Sequence, residues 1–332
     1  MSAMPDARPR PIFILGAPRT GTTLLQRVLN SYDDVLLWGE HAGFLADVAR
    51  AFYAAWDHPS LFRDVRPLAE VLRGSQPRES WQAWMSWTSR EDWLQSFRAF
   101  LDLLFVPGGL PGKAYWGFKE IRYMTAPGER TLDFLHALYP DAIYLFIVRN
   151  AFNALASVKR IPEGAHHLRA LKATCARWRN RYEAYHAWHR SGRIRSYWIV
   201  YEELIEGRGE LLALLDALGR SLGDEQRAVM RSAEGRWSSF KDEAFNERWR
   251  RLPPAWLALT SAMLGDLNAA FGYANPPQPA LQRLRGRLLL RGLALRERWT
   301  SPTPGAAGAE AGEDGAARPA AEPPAAPAQT RS

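Results

Sequence analysis

The stretch Ile12-Phe-Ile-Leu-Gly-Ala-Pro-Arg-Thr-Gly-Thr-Thr-Leu-Leu25 decides how the chain folds. Ile12 to Leu15 is a continuous apolar run of the kind that forms a buried parallel strand. Leu24, Leu25, Val28 and Leu29 then recur at helical spacing, so the stretch reads as strand, turn and helix. Gly16 and Gly21 bracket the turn and permit close backbone approach, while Pro18 stiffens it. Free N–H groups at the start of a helix attract an anion, so this turn is predicted to hold one.

The spacing Gly16-x4-Gly21-Thr22-Thr23 is the P-loop pattern with Thr22 where a lysine normally stands. An ATP or GTP enzyme needs that lysine at the outer phosphates, and its loss leaves a cradle suited to a donor with fewer of them. A cation is present earlier, at Arg19.

Further along the chain, Val35–Trp38, Ala114–Glu120, Ile143–Val148 and Tyr197–Tyr201 read as further short strands. Helical patterns separate them: Phe44–Leu104, Glu129–Tyr139, Ala151–Lys159, His166–Arg190 and Glu202–Ser221. Alternation of this kind predicts an α/β fold, a parallel sheet flanked by helices, P-loop NTPase-like, with the site at the carboxyl ends of the strands. That edge collects Gly16–Thr23, Gly39–His41, Lys119–Arg122 and Arg149.

The expected organisation is a flexible N-terminus over 1–10, one domain over 11–275 with a helical insertion at about 44–106, a basic amphipathic helix over 276–300 and a disordered Ala/Pro-rich tail over 301–332. Trp81, Trp84 and Trp87 should line one helix side, and 231–251 reads as a flexible loop. Fourteen tryptophans are many for this length and suggest an aromatic-walled pocket or surface.

The net charge is +8, and Leu281–Trp299 alone contributes +5 through six Arg and one Glu. The remainder is too dilute for a nucleic-acid surface, and no nucleic-acid partner is expected. Leu281, Leu284, Leu288, Leu295 and Trp299 share one face of the basic helix. That face permits a weak membrane-surface contact through 281–299, but a helix packed on the domain with solvated arginines is the favoured reading. The single cysteine, Cys175, excludes an intrachain disulfide and a Cys-rich metal site. With no signal-length apolar core near the start and no apolar run of roughly 18 residues, a cytoplasmic protein is expected.

Gly-Ala-Pro-Arg-Thr-Gly-Thr-Thr at 16–23, with Arg149-x7-Ser157 after the strand Ile143–Val148, resembles the sulfotransferases that use 3′-phosphoadenosine-5′-phosphosulfate (PAPS). The resemblance covers roughly residues 10–205 and implies a sulfuryl transfer from PAPS to an acceptor hydroxyl on a small molecule, sugar, lipid or peptide, with no metal required. It assigns Arg19, Thr20, Gly21, Thr22 and Thr23 to the 5′-phosphosulfate, and Arg149 and Ser157 to the 3′-phosphate. The protein-tyrosine, carbohydrate and bacterial branches are similar in having Pro-Arg-x-Gly-Thr-Thr and a Gly-Glu after the second strand. In the tyrosine-directed branch that glutamate is the base, which corresponds to Glu40, 21 positions after Arg19.

The reaction needs a group to take the hydroxyl proton, and His41 is the competing candidate. Arg19 and Lys119 are the cations expected to stabilise charge on the moving group, with Glu120 and Arg122 a structural ion pair or part of the acceptor site. Tyr201-Glu-Glu-Leu204 is similar to a recurring family segment and reads as architectural. No counterpart of the Arg-Lys-Gly motif of the small-molecule branch is visible, so Arg236, Trp237 or Lys241 would cover the nucleotide instead. The alternative is a P-loop kinase or NTPase acting on ATP, against which Thr22 and Arg149 both speak. Oligomeric state is not encoded in any motif.

Overall fold

The computed structural model describes residues 8–58, 61–62, 89–157, 165–236 and 245–300. The strands are β1 (Arg10–Gly16), β2 (Val35–Trp38), β3 (Tyr115–Glu120), β4 (Ile143–Val148) and β5 (Arg195–Val200). They form one parallel sheet in the order β2-β3-β1-β4-β5. The helices are α1 (Thr22–Leu29), α2 (Leu45–Trp56), α3 (Arg90–Phe105), α4 (Thr131–Leu138), α5 (Ala151–Ala156) and α6 (Ala165–Arg190). They continue with α7 (Tyr201–Glu206), α8 (Glu210–Ala217), α9 (Asp224–Arg236), α10 (Pro254–Ala270) and α11 (Ala280–Thr300).

Because side chains alternate along a strand, β1 offers a different surface to each side. Ile12 and Ile14 join Leu25, Val28, Ile143, Leu145 and Ile147 in an aliphatic layer under α1 and α8. Phe13 faces the other way, 4.7 Å from the ring of Phe118 and 5.5 Å from that of Tyr144. Both layers are closed to water, which is why β1 and β4 read as unbroken apolar runs.

Of the described tryptophans, Trp116, Trp178 and Trp256 are buried, while Trp38 is exposed and Trp56, Trp93, Trp188, Trp198 and Trp249 are half-buried. Trp81, Trp84 and Trp87 lie outside the described residues, as do 1–7 and the tail 301–332.

The last strand starts two residues earlier than its pattern predicts, and Tyr201 opens α7 instead of closing β5. The helix expected over 202–221 is broken at Gly207-Arg208-Gly209 into α7 and α8. Part of the expected loop 231–251 is ordered: α9 runs to Arg236, and Phe245–Arg251 forms a 3-10 turn. By compactness, residues 1–290 form one unit and 291–332 a second. No helix among the described residues is long and apolar enough to cross a membrane.

Gly117 lets β1 and β3 approach. A Cβ there would lie 1.7 Å from the Ile12 carbonyl oxygen, a backbone atom that cannot rotate away. Gly117→Ala is therefore expected to cost at least about 3 kcal/mol, read as a lower denaturant midpoint; a midpoint near wild type would contradict this packing.

Candidate active site

The loop between β1 and α1 crosses to the helix through two left-handed residues, Arg19 (φ 69°) and Gly21 (φ 96°). At Gly21 the requirement is also steric, since a Cβ would stand 2.3 Å from the Tyr201 ring. Thr20 Oγ1 donates to the Ala17 carbonyl at 2.7 Å, closing the turn on itself. Tyr182, on α6, fixes the loop to the sheet: its hydroxyl accepts from Ala17 N–H at 3.2 Å and donates to the Ile147 carbonyl at 2.7 Å. No side chain caps α1, whose first residue Thr22 is buried while Thr23 is exposed. A helix N-terminus left open beside a glycine-bearing turn suits an anion.

One strand over, Arg149 follows β4 and Asn150 caps α5, its side-chain oxygen accepting from Phe152 N–H at 3.0 Å and Asn153 N–H at 3.3 Å. Arg149 is buried. Its Nη1 donates to the Arg19 carbonyl at 3.1 Å and lies 3.3 Å from Ser157 Oγ, so the predicted pair is brought together. Ser157 does not sit two turns inside a helix. It ends α5, which has only six residues.

The guanidinium of Arg149 lies 4.4 Å over the Tyr201 ring, within cation–π range. Tyr201 thus touches the β1–α1 loop and Arg149 at once, a contact of the architectural kind read from its segment. Burial lowers the Arg149 pKa; the charges of Arg248 and Arg19 act the same way, against Tyr201 and Glu202. Arg248 was not among the expected site residues. It is buried in the 3-10 turn, which docks on α5 through a 3.0 Å bond from Trp249 N–H to Asn153 Oδ1. The only sequence signal was the arginine density of Arg248, Arg250 and Arg251. The side chains of Arg236, Trp237 and Lys241 lie outside the described residues.

On the other side of β1, the register pairs Ile14 with Lys119 and Leu15 with Glu120, setting the end of β3 beside the start of the loop. Lys119 Nζ donates to Glu40 Oε1. Arg122 Nη1 donates at 2.8 Å to Glu40 Oε2 and at 2.8 Å to Glu120 Oε1.

The two carboxylates differ in surroundings. Glu120 is fully buried and accepts from Ile121 N–H at 2.8 Å, Gly43 N–H at 2.8 Å and His41 N–H at 3.2 Å, so it shapes the loop that carries Glu40. Glu40 keeps 27 % of its side chain exposed. Burial pushes the Glu40 carboxyl up, but the hydrogen bonds and charges of Lys119 and Arg122 outweigh it and hold the pKa below the ordinary value.

His41 is more enclosed, at 11 % exposure, with the Phe118 ring 4.7 Å away and the Phe44 ring 5.1 Å away. Its Nε2 is engaged by the Tyr123 hydroxyl at 2.9 Å. Burial lowers its pKa despite the pull of Glu120 in the other direction, which keeps the ring neutral near pH 7.

A parallel sheet with a glycine-bearing loop at the carboxyl end of its central strand, flanked by cations from β3 and β4, is a P-loop-like α/β arrangement. The model of the Sulfotransferase family matches residues 11–224, more than half of the chain, and the chain belongs to that family. It is 28 % identical over 167 residues to the nodulation protein NoeE of Sinorhizobium fredii, a match covering 46 % of this chain and 32 % of that protein. The chain thus spans about a third of the length of the curated relative it matches.

Among solved structures, the sulfotransferase domain of the Synechococcus PCC 7002 olefin synthase aligns with 19 % identity and a TM-score of 0.49, covering 82 % of this chain and 98 % of that one. Sulfotransferase STF9 from Mycobacterium avium aligns with 14 % identity and a TM-score of 0.42, covering 82 % and 79 %.

The contrast between the two carboxylates is measurable. Glu120→Ala removes one of the two carboxylates that Arg122 bonds, leaves the Ile121, Gly43 and His41 amides without their acceptor, and should cost about 3–5 kcal/mol in urea unfolding. Glu40→Gln, at a half-open ion pair, should cost under about 1 kcal/mol. Equal losses would contradict the division between a buried, fully bonded carboxylate and a half-exposed one.

Proposed function

We propose that the chain transfers a sulfuryl group from PAPS to the hydroxyl of an acceptor. The observation that carries this reading is the Arg149–Ser157 pair, tied to the phosphate loop through the Arg19 carbonyl and Tyr201. A donor phosphorylated at both ends of its nucleoside needs two anion sites a fixed distance apart, and the loop after β1 and Arg149 after the adjacent β4 would serve as the two. Arg19, Thr20, Gly21, Thr22 and Thr23 would hold the 5′-phosphosulfate, and Arg149 and Ser157 the 3′-phosphate. Arg248 would add its charge beside Arg149.

The donor supplies an activated sulfur. The acceptor oxygen bonds to it as the bond from sulfur to the phosphate oxygen breaks, releasing 3′,5′-bisphosphoadenosine. Glu40 takes the hydroxyl proton. Its carboxylate is the more exposed of the two candidate bases, whereas His41 Nε2 is already engaged with Tyr123. In the free protein Lys119 neutralises Glu40. When sulfuryl oxygens compete for that ammonium, the carboxylate loses part of its partner and gains proton affinity as the proton arrives. Arg19 adds positive charge where the leaving phosphate develops its own. The acceptor is a hydroxyl compound of the small-molecule, sugar, lipid or peptide classes, and a cytoplasmic setting fits the unpaired, buried Cys175.

Glu40→Gln is expected to lower kcat about 1,000-fold while donor affinity stays within about twofold, read by sulfate transfer and by calorimetry. Retained turnover would remove Glu40 as the base. The acid limb of kcat/KM in the parent protein should lie below the ordinary glutamate pKa of about 4.3, because Lys119 and Arg122 depress it. Lys119→Met should move that limb upward, since burial then acts with one cation fewer against it. An unmoved limb would separate Lys119 from the proton-accepting group.

A further inference from the structure

The helix α11 carries a surface that the transfer site does not use. Over Ala280–Leu290 its packing face is formed by Gly286 with Gln282, Leu289 and Leu290, which are buried or half-buried. Gly286 rests against α10 so closely that a Cβ would stand 2.3 Å from the Ala258 carbonyl oxygen. The opposite face holds Leu281, Leu284 and Leu288, at the i, i+3 and i+7 positions of one stripe. They are 77 %, 50 % and 56 % exposed. Packing against α10 therefore accounts for one side of the helix and leaves an apolar stripe on the other.

Arg283, Arg285 and Arg287 flank the stripe, all exposed, and none pairs with a carboxylate among the described residues. No Asp or Glu occurs from Ala280 to Leu290. Three leucines with three arginines beside them and no acid present a surface that is apolar along its ridge and cationic along its flanks.

We propose that this face of α11 docks on a lipid bilayer bearing anionic headgroups, the helix lying in the interface with its leucines in the acyl boundary. Charge selects this occupant over the others. A second copy meeting the stripe by two-fold symmetry would bring six arginines together with no acid to balance them. A nucleic-acid backbone would satisfy the arginines but leave the leucines in water. An anionic bilayer satisfies both, through buried apolar area and attraction to the headgroups.

The test is flotation of the full chain with vesicles of phosphatidylcholine, or of phosphatidylcholine with about one third phosphatidylglycerol. Binding is expected to the anionic vesicles, not to the neutral ones, and to be lost at about 0.5 M KCl. The set Arg283→Gln, Arg285→Gln and Arg287→Gln should lower partitioning on the order of 100-fold, at roughly fivefold per arginine. The set Leu281→Asp, Leu284→Asp and Leu288→Asp should lower it at least as far, on the order of 100-fold or more, with thermal melting unchanged in both sets. Should the leucine set perturb folding, the arginine set stands alone as the test. Absence of parent-chain binding, equal binding to neutral vesicles, or undiminished binding by the arginine set would overturn the proposal. A dimer that the leucine changes dissociate, in a chain that ignores vesicles, would assign the stripe to a second copy instead.

Discussion

Tyr201 stands between two groups that would otherwise be independent. One edge of its ring fills the space that Gly21 leaves open, and its face lies under the guanidinium of Arg149. The phosphate loop and the end of β4 are therefore held at a set spacing by one aromatic side chain at the start of α7. Tyr182 reinforces the arrangement from below, sharing its hydroxyl between the loop and the Ile147 carbonyl. The donor proposed above, charged at both ends, would meet a pair of sites already held in place, and that would limit the ordering cost of binding.

The other half of the crevice depends on a division between neighbouring carboxylates. Glu120 is buried, fully bonded and committed to shaping the loop at 41–43. Glu40 is bound only by the ends of two flexible cations, and such partners can be exchanged when a ligand arrives. Arg122 touches both carboxylates, so the buried charge and the half-exposed one share a cation. Arg181 holds the loop that carries Arg122, donating to the carbonyls of Ile121 and Tyr123 at 2.6 Å and 3.0 Å.

Much of this was legible in the sequence, for identifiable reasons. The strands β1 and β4 were readable because strands buried on both faces are continuous apolar runs. The loop was readable because anion binding constrains glycine spacing within six residues. Boundaries set by capping were harder to place: α5 ends at Ser157, short of the helix its pattern suggests. Arg248 and the contacts of Tyr201 arise from tertiary packing between segments far apart in the chain, to which periodicity is blind.

The central claim is that two anion sites, joined through Tyr201, recognise a donor phosphorylated at both ends of its nucleoside. Calorimetric titration of the unmodified protein with adenosine 3′,5′-bisphosphate and with adenosine 5′-monophosphate isolates the second site directly. The account predicts that the 3′-phosphate tightens binding by on the order of 100-fold, as two charge-assisted hydrogen bonds would. Equal affinity for the two nucleotides would contradict it.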